Sequence, residues 1–393
     1  MKRGIIIANT GTPDAPEPEA VKRYLREFLS DPRICPMNPL VWKIILNTCI
    51  LPRRSVASAR KYQGIWTPEG SPLAVTMASL ARKLEAALAA SAGAAADTAP
   101  MVRSAMSYGS PSLAAALAEF QREGCEEVLL IPLYPQSAFS TTESVLDRTR
   151  RTLAELGWNP PLATVHDYGD HPLYQTAIAD SIRAAGFDST AGDRLLFAFH
   201  SIPLADIAAG DTYGDQARST AQTIARCLGL APEEWGIGFQ CRFDKSRRWL
   251  GPFTKEALEH LMESPPAGGR LFVVAPNFSI DCLETLYDIE VELRDSHRSL
   301  AGSAEPAGGT QGSQAPEAGR GGSKAMRYIP CLNDSEAQVR LLCALIVESS
   351  AASSSHSSDN GAASPETAAA AGQTTSGAAE SACQPLQEAA AVR

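Results

Sequence analysis

The sequence predicts an α/β protein with parallel sheets flanked by helices, and three observations predict it. Short runs that are apolar at nearly every position break at proline-containing turns: Val128-Leu-Leu-Ile-Pro132, Leu195-Leu-Phe-Ala-Phe-His200-Ser-Ile-Pro203 and Leu271-Phe-Val-Val-Ala-Pro276. Such runs fit strands buried on both faces of a parallel sheet. Strand-like and helix-like stretches alternate along the chain, as repeated β-α units do. Finally, 393 residues with 44 % apolar content suffice for two domains with sizeable cores.

Taken in order, residues 4–8 are the first strand candidate, followed by a Gly-Thr-Pro loop. Val21, Tyr24, Leu25, Phe28 and Leu29 then repeat at i, i+3, i+4, i+7 and i+8, which gives an amphipathic helix. The segment from Met37 to Pro52 is apolar and abuts Arg53 and Arg54; it fits an ordinary core helix, the apolar lip of a pocket, or contact with a membrane surface. A helix is predicted from Leu73 to Leu88, a strand at 101–107, and a further helix from Ser110-Pro111 to a stop at Gly124. After Val128–Pro132, Ser140-Thr-Thr-Glu143 has the spacing of a capping box before a helix carrying Val145, Leu146, Thr149 and Leu153 and ending at Gly157. The second half repeats the scheme, with strands at 162–166, 194–199, 236–240 and 270–275 and helices at 172–185, 215–228, 255–262 and 282–295. Val128-Leu-Leu-Ile-Pro and Phe272-Val-Val-Ala-Pro look alike and precede similar elements, which hints at two related halves. The expected boundaries are 1–160 for one half and 161–300 plus 326–348 for the other. Residues 301–325 and 349–393 are rich in Gly, Ala, Ser and Pro or Gln with few bulky apolar side chains, so both are expected to be disordered.

Bulk properties exclude several functions. A net charge of −9 gives no basic field for nucleic acid. The nine cysteines include no CxxC, and the closest pair, Cys331 and Cys343, is 12 apart, against zinc-ribbon and thioredoxin-like sites. The N-terminal apolar run stops at Asn9, too short for a signal peptide, and no run approaches the ~20 apolar residues of a membrane span. A cytoplasmic, reducing setting with free thiols is expected. Neither GxGxxG nor a P-loop occurs, so phosphate binding is not indicated.

Polar residues just past buried parallel strands lie at the carboxyl edge of the sheet, where open α/β proteins place their ligands. One such edge offers His200 and another Glu284. A neutral nitrogen donor with a carboxylate can hold a divalent metal or accept protons. Each also has a plain structural reading: His200 as a hydrogen-bonded strand end, and Glu284 as the third residue of a capping box begun by Asp281. Tyr134, Ser140 and Thr141 follow a third strand and suit either a pocket wall or helix capping. His166 and His171 flank a turn and a helix start and are read as structural.

These residues sit in a series of stretches that resembles the ferrochelatase family. The series is Asn9-Thr-Gly-Thr-Pro-Asp-Ala-Pro, Phe28-Leu-Ser-Asp-Pro-Arg, Lys61-Tyr-Gln-Gly-Ile-Trp-Thr-Pro-Glu-Gly-Ser-Pro-Leu, Leu133-Tyr-Pro-Gln, Phe199-His-Ser-Ile-Pro, Gly210-Asp-Thr-Tyr, Phe239-Gln-Cys-Arg-Phe, Asp281-Cys-Leu-Glu-Thr-Leu and Tyr328-Ile-Pro-Cys-Leu-Asn-Asp. The resemblance runs from residue 4 to about 345 and excludes the Gly-rich insert and the tail. It implies a chelatase-like fold of two Rossmann-like halves with a porphyrin cleft between them, and insertion of Fe2+ into protoporphyrin IX to give protohaem. It implies that His200 and Glu284 are the active-site pair and iron ligands, and that Asp281 supports Glu284. Thr10, Tyr134, Ser140 and Thr141 would lie near the macrocycle, and residues 37–51 would form the lip of the cleft. The expected partners are porphyrin and ferrous iron, with peripheral membrane contact through that lip. No ATP is implied, and no cofactor beyond the substrate Fe2+. The four closely spaced cysteines that hold an iron–sulfur cluster in some members have no counterpart, so no cluster is expected.

The sequence departs from the family pattern in places. Asn277 stands where Gly is common and Ser201 where many members have Gly; Ser137-Ala-Phe replaces a more usual Tyr-Ser-Ala; Cys241 and Asp244 replace Ser and Gly. Thr10 takes a position held by Tyr in one substrate subgroup, which favours protoporphyrin over coproporphyrin. A sirohydrochlorin chelatase would share the fold but carry extra His near the site, and a porphyrin-binding carrier would need no such pair.

Overall fold

A computed structural model describes residues 2–35, 37–92, 99–240, 247–262, 269–300 and 325–356. Its eight strands form two four-stranded parallel sheets. In the first, β1 (Arg3–Thr12), β2 (Met101–Gly109), β3 (Glu127–Pro132) and β4 (Leu162–Thr164) run in the order β2-β1-β3-β4. In the second, β5 (Arg194–His200), β6 (Trp235–Gln240), β7 (Leu271–Val274) and β8 (Met326–Ile329) run in the order β6-β5-β7-β8. The two orders are the same, so the likeness of the β3 and β7 sequences has a structural basis: both are third in their sheet. The expected pair of related α/β halves is therefore present.

The apolar runs split by alternation, because successive strand side chains point to opposite faces. Ile5 and Ile7 of β1, with Leu195, Phe197 and Phe199 of β5 and Phe272 and Val274 of β7, enter one core shared by the two halves. Ile6 and Ala8 face a separate outer core with the helices Leu113–Arg122 and Ser144–Glu155. Leu196 and Ala198 face another with the helix Thr254–Met262. The helices Pro72–Ala92, Pro172–Ala184, Tyr213–Cys227 and Glu336–His356 supply the shared core. The last of these packs against both Pro72–Ala92 and Pro172–Ala184 and so joins the two halves.

Several expectations need correction. The helix expected from Ser110-Pro111 begins at Leu113, with Ser112 as its cap: its hydroxyl accepts from the Ala115 N–H at 3.2 Å. Ser140-Thr-Thr-Glu143 is a π-helical turn, Phe139–Glu143, and not a capping box, because the Glu143 carboxylate is engaged by His166 Nε2 at 2.6 Å. The tail was expected to lose order at 349, yet Ser349 to His356 continue the last helix. Propagation adds one backbone bond per residue whatever the side chain buries, and the Ser349 and Ser350 hydroxyls bond back to the Leu345 and Ile346 carbonyls. Six described cysteines are free thiols, but Cys227 is disulfide-bonded, against the expectation of free thiols. Residues 301–324 and 357–393, and the departures at Cys241 and Asp244, lie outside the described residues. No helix among the described residues is long and apolar enough to cross a membrane.

His166 and His171 act structurally. His171 Nδ1 accepts from the Leu173 N–H at the start of Pro172–Ala184, while His166 ties the loop after β4 to Glu143.

Candidate active site

The strand orders fix where a ligand can sit. In each sheet the chain moves outward on opposite sides of the first and third strands, which makes β1/β3 and β5/β7 the switch points; crevices open there at the carboxyl ends. One large cleft, about 1410 Å³ of empty space counted out to solvent, is lined from both switch points. Asn9 to Thr12 come from the end of β1, Leu133, Tyr134, Ser140 and Thr141 from beyond β3, His200 to Pro203 from the end of β5 and the turn after it, and Asn277, Phe278, Cys282 and Glu284 from beyond β7. Thr10, Tyr134, Ser140, Thr141, His200 and Glu284 all line it.

Each side chain is held by local chemistry. Gly11 has φ +120°, and a Cβ there would lie 1.9 Å from the Tyr108 carbonyl oxygen. Only glycine lets β1 pass that point, and it sets Thr10 so that its hydroxyl meets the Tyr134 hydroxyl at 2.7 Å. Burial pushes the Tyr134 phenol well above its ordinary pKa, so it remains a neutral hydroxyl. His200 is the last residue of β5. Its Nδ1 donates to the Ser201 carbonyl at 2.7 Å. A carbonyl can only accept, so Nδ1 carries the proton; whenever the ring is neutral its lone pair then sits on Nε2. The turn beneath it is clamped: Tyr213 OH donates to the His200 carbonyl at 2.8 Å, and Ser201 Oγ donates to the Leu250 carbonyl at 2.8 Å.

Glu284 opens a ten-residue π-helix, Glu284–Leu293. Such stretches often occur at functional sites. The Cys282 thiol also lines the cleft; burial first, and the nearby Glu284 second, raise its pKa well above the ordinary value, so it stays a neutral thiol. Asp281 does not line the cleft and does not form the expected capping box. Its buried carboxylate instead accepts from Tyr328 OH at 2.6 Å, Asn333 Nδ2 at 2.7 Å and Thr285 Oγ1 at 2.9 Å. The bonds from Tyr328 and Asn333 tie the turn bearing Cys282 and Glu284 to β8 and the segment after it.

Two further carboxylates escaped the sequence reading. Asp288 and Glu292 follow Glu284 at four-residue intervals, about one π-turn each. Lys61 Nζ lies 2.8 Å from both. Burial raises Asp288 to about 6, with Lys61 pulling the other way. The signal was visible as Glu284-x3-Asp288-x3-Glu292, but it reads as any solvated helix face until the partner helix is placed.

The remaining walls are aromatic and cationic: Tyr24, Phe28, Tyr62, Trp249 and Phe278 with Arg33, Arg54 and Arg247. The segment expected to form the lip, 37–51, does not itself line the cleft; Arg54, Tyr62 and Ile65 of the next helix do. Leu40, Val41 and Ile44 instead point to solvent, 76 %, 50 % and 65 % exposed, which corrects the reading of an ordinary core helix. Among the described residues no group of three or more His, Cys, Asp or Glu is arranged to hold a metal.

Paired sheets of one strand order share one cleft that carries an imidazole and a carboxylate, the arrangement of a tetrapyrrole metal chelatase. The family model described as Ferrochelatase matches residues 2–307, and the chain belongs to the ferrochelatase family. Among solved structures it is similar to SirB from Bacillus subtilis with Fe3+, at 10 % identity and a TM-score of 0.50, covering 90 % of this chain and 98 % of that one. It is also similar to the sirohydrochlorin chelatase SirB from Bacillus subtilis subspecies spizizenii in complex with cobalt, at 10 % identity and a TM-score of 0.47, with the same coverage. At that identity the likeness is one of fold.

Proposed function

We propose that this chain inserts Fe2+ into protoporphyrin IX, giving protohaem and two protons. The observation that carries the reading is that His200 and Glu284, 84 positions apart, line one cleft from the carboxyl ends of neighbouring strands. A flat porphyrin blocks metal entry and its N–H groups are very weakly acidic. The protein must hold the ring, present the metal and receive protons.

The aromatic walls suit the faces of a macrocycle, and Arg33, Arg54 and Arg247 suit its carboxylate substituents. His200 Nε2, with Nδ1 fixed on a carbonyl, is arranged to bind Fe2+ or take a pyrrole proton. Glu284 is the second oxygen or proton acceptor. Asp288, held near 6, is suited to receive a proton from Glu284 and release it to solvent, with the Lys61 ammonium holding its carboxylate form. Asp281 would act through the turn it fixes and not on the substrate. Thr10, Tyr134, Ser140 and Thr141 would contact the ring edge. No resident cofactor or cluster is part of this reading, and the exposed Leu40, Val41 and Ile44 would touch a membrane surface from the cytoplasmic side.

Mixing the protein anaerobically with protoporphyrin and Fe2+ or Zn2+ and following the absorption spectrum tests the proposal. Conversion of the free-base bands to metalloporphyrin bands is expected. Turnover of coproporphyrin or sirohydrochlorin alone would replace the substrate, and tight binding without conversion would leave a carrier.

A further inference from the structure

Asn277 is unexplained by the chemistry above. It lies in the turn after β7 and lines the same cleft as His200. It lines the cleft yet is only 7 % exposed, and its carboxamide oxygen has no hydrogen-bond partner. A buried oxygen left without a donor costs roughly 1–3 kcal/mol, and such groups need a reason. The backbone cannot swing away to relieve it. The preceding Pro276 carbonyl accepts from Tyr174 OH at 2.8 Å and from Gln136 Nε2 at 3.1 Å, so the peptide leading into Asn277 is pinned from two sides. The last torsion of a carboxamide is soft, so the oxygen can reorient toward a donor at little cost.

The missing partner is a donor, which the cleft's occupant must bring. A free-base tetrapyrrole carries two inner N–H groups in the same region that His200 and Glu284 would address. Resting on the function proposed above, we propose that Asn277 accepts a hydrogen bond from an inner pyrrole N–H of the free-base tetrapyrrole. The metallated product has lost both N–H protons and cannot make that bond. Asn277 is thus a specificity-determining residue that favours substrate over product, and the bond disappears at the moment the product must leave.

The test measures binding of free-base protoporphyrin and of zinc protoporphyrin, which has no inner N–H, to the full chain and to N277A and N277L. The wild type is expected to bind both. In both variants free-base binding weakens roughly five- to tenfold, the loss of one net hydrogen bond, while zinc protoporphyrin binding is unchanged and reports an intact cleft. Loss of affinity that is equal for both ligands, or no loss for either, overturns the inference and leaves the function standing. A wild type that binds neither ligand overturns the function itself, and the inference with it.

Discussion

Asp281→Asn isolates the part of the site that supports chemistry without touching substrate. The Asp281 carboxylate is 7 % exposed. Its Oδ2 takes the Asn333 Nδ2 donor at 2.7 Å, and its Oδ1 takes Tyr328 OH and Thr285 Oγ1 at 2.6 and 2.9 Å. An asparagine keeps the shape and can keep Oδ1, but its NH2 then faces the NH2 of Asn333. Two buried donors are stranded against each other, and the bonds kept lose their charge. Stranded buried donors cost about 1–3 kcal/mol each, so a net destabilisation of about 2–4 kcal/mol is expected. Adding Asn333→Asp restores donor against acceptor. Residue 333 sits at φ 53°, a conformation that Asn and Asp both tolerate, so the swap introduces no backbone strain. Urea unfolding of the wild type, both single variants and the double variant measures the cycle. The double variant should recover at least about 1 kcal/mol relative to the sum of the singles. Metal insertion by Asp281→Asn should fall roughly ten- to a hundredfold, since the turn bearing Glu284 loosens. Wild-type stability in Asp281→Asn, or strictly additive losses in the double variant, would refute the reasoning.

Other outcomes are as concrete. His200→Ala should cut turnover by roughly 10²–10⁴-fold, the range of a lost general base, with porphyrin binding retained by fluorescence titration; Glu284→Gln should slow turnover strongly under the same assay, and unchanged rates would leave these residues only structural. Turnover should fall as pH drops through about 6, where Asp288 gains a proton, and Asp288→Asn should lose that limb; a limb that survives assigns it elsewhere. Because burial raises Asp288 from 3.8 to about 6, its stabilising protonated form is complete below 3.8 and lost as pH rises through 6, so Asp288→Asn should gain on the wild type over that window in thermal melts. Replacing Leu40 and Ile44 with Glu should abolish co-sedimentation with anionic vesicles, and equal sedimentation would exclude this face as the contact.

Much of the fold was legible because burial on both faces writes itself into composition. The runs ending at Pro132, His200 and Pro276 could only be inner strands, and each became one. That His200 and Glu284 could face a common cleft was legible for the same reason, since they stand at and beyond the carboxyl ends of such strands. The errors share a cause: short-range spacing was read as capping where long-range partners compete. Glu143 turned to His166 and Asp281 to Tyr328 and Asn333, 47 and 52 positions away, and neither pairing leaves a local trace. The exposed apolar face of Leu40, Val41 and Ile44 was ambiguous because a core stripe and a solvent-facing stripe have one sequence pattern.

By itself, then, the order of residues determined the first seven strands and that they pair in parallel, while the edge strand β8, Met326–Ile329, went unread. Only packing decided that two sheets close on one cleft, that Glu284, Asp288 and Glu292 align beside Lys61, and that the Asn277 oxygen is left without a donor. These properties depend on which distant groups meet, and nearest-neighbour chemistry along the chain does not specify that.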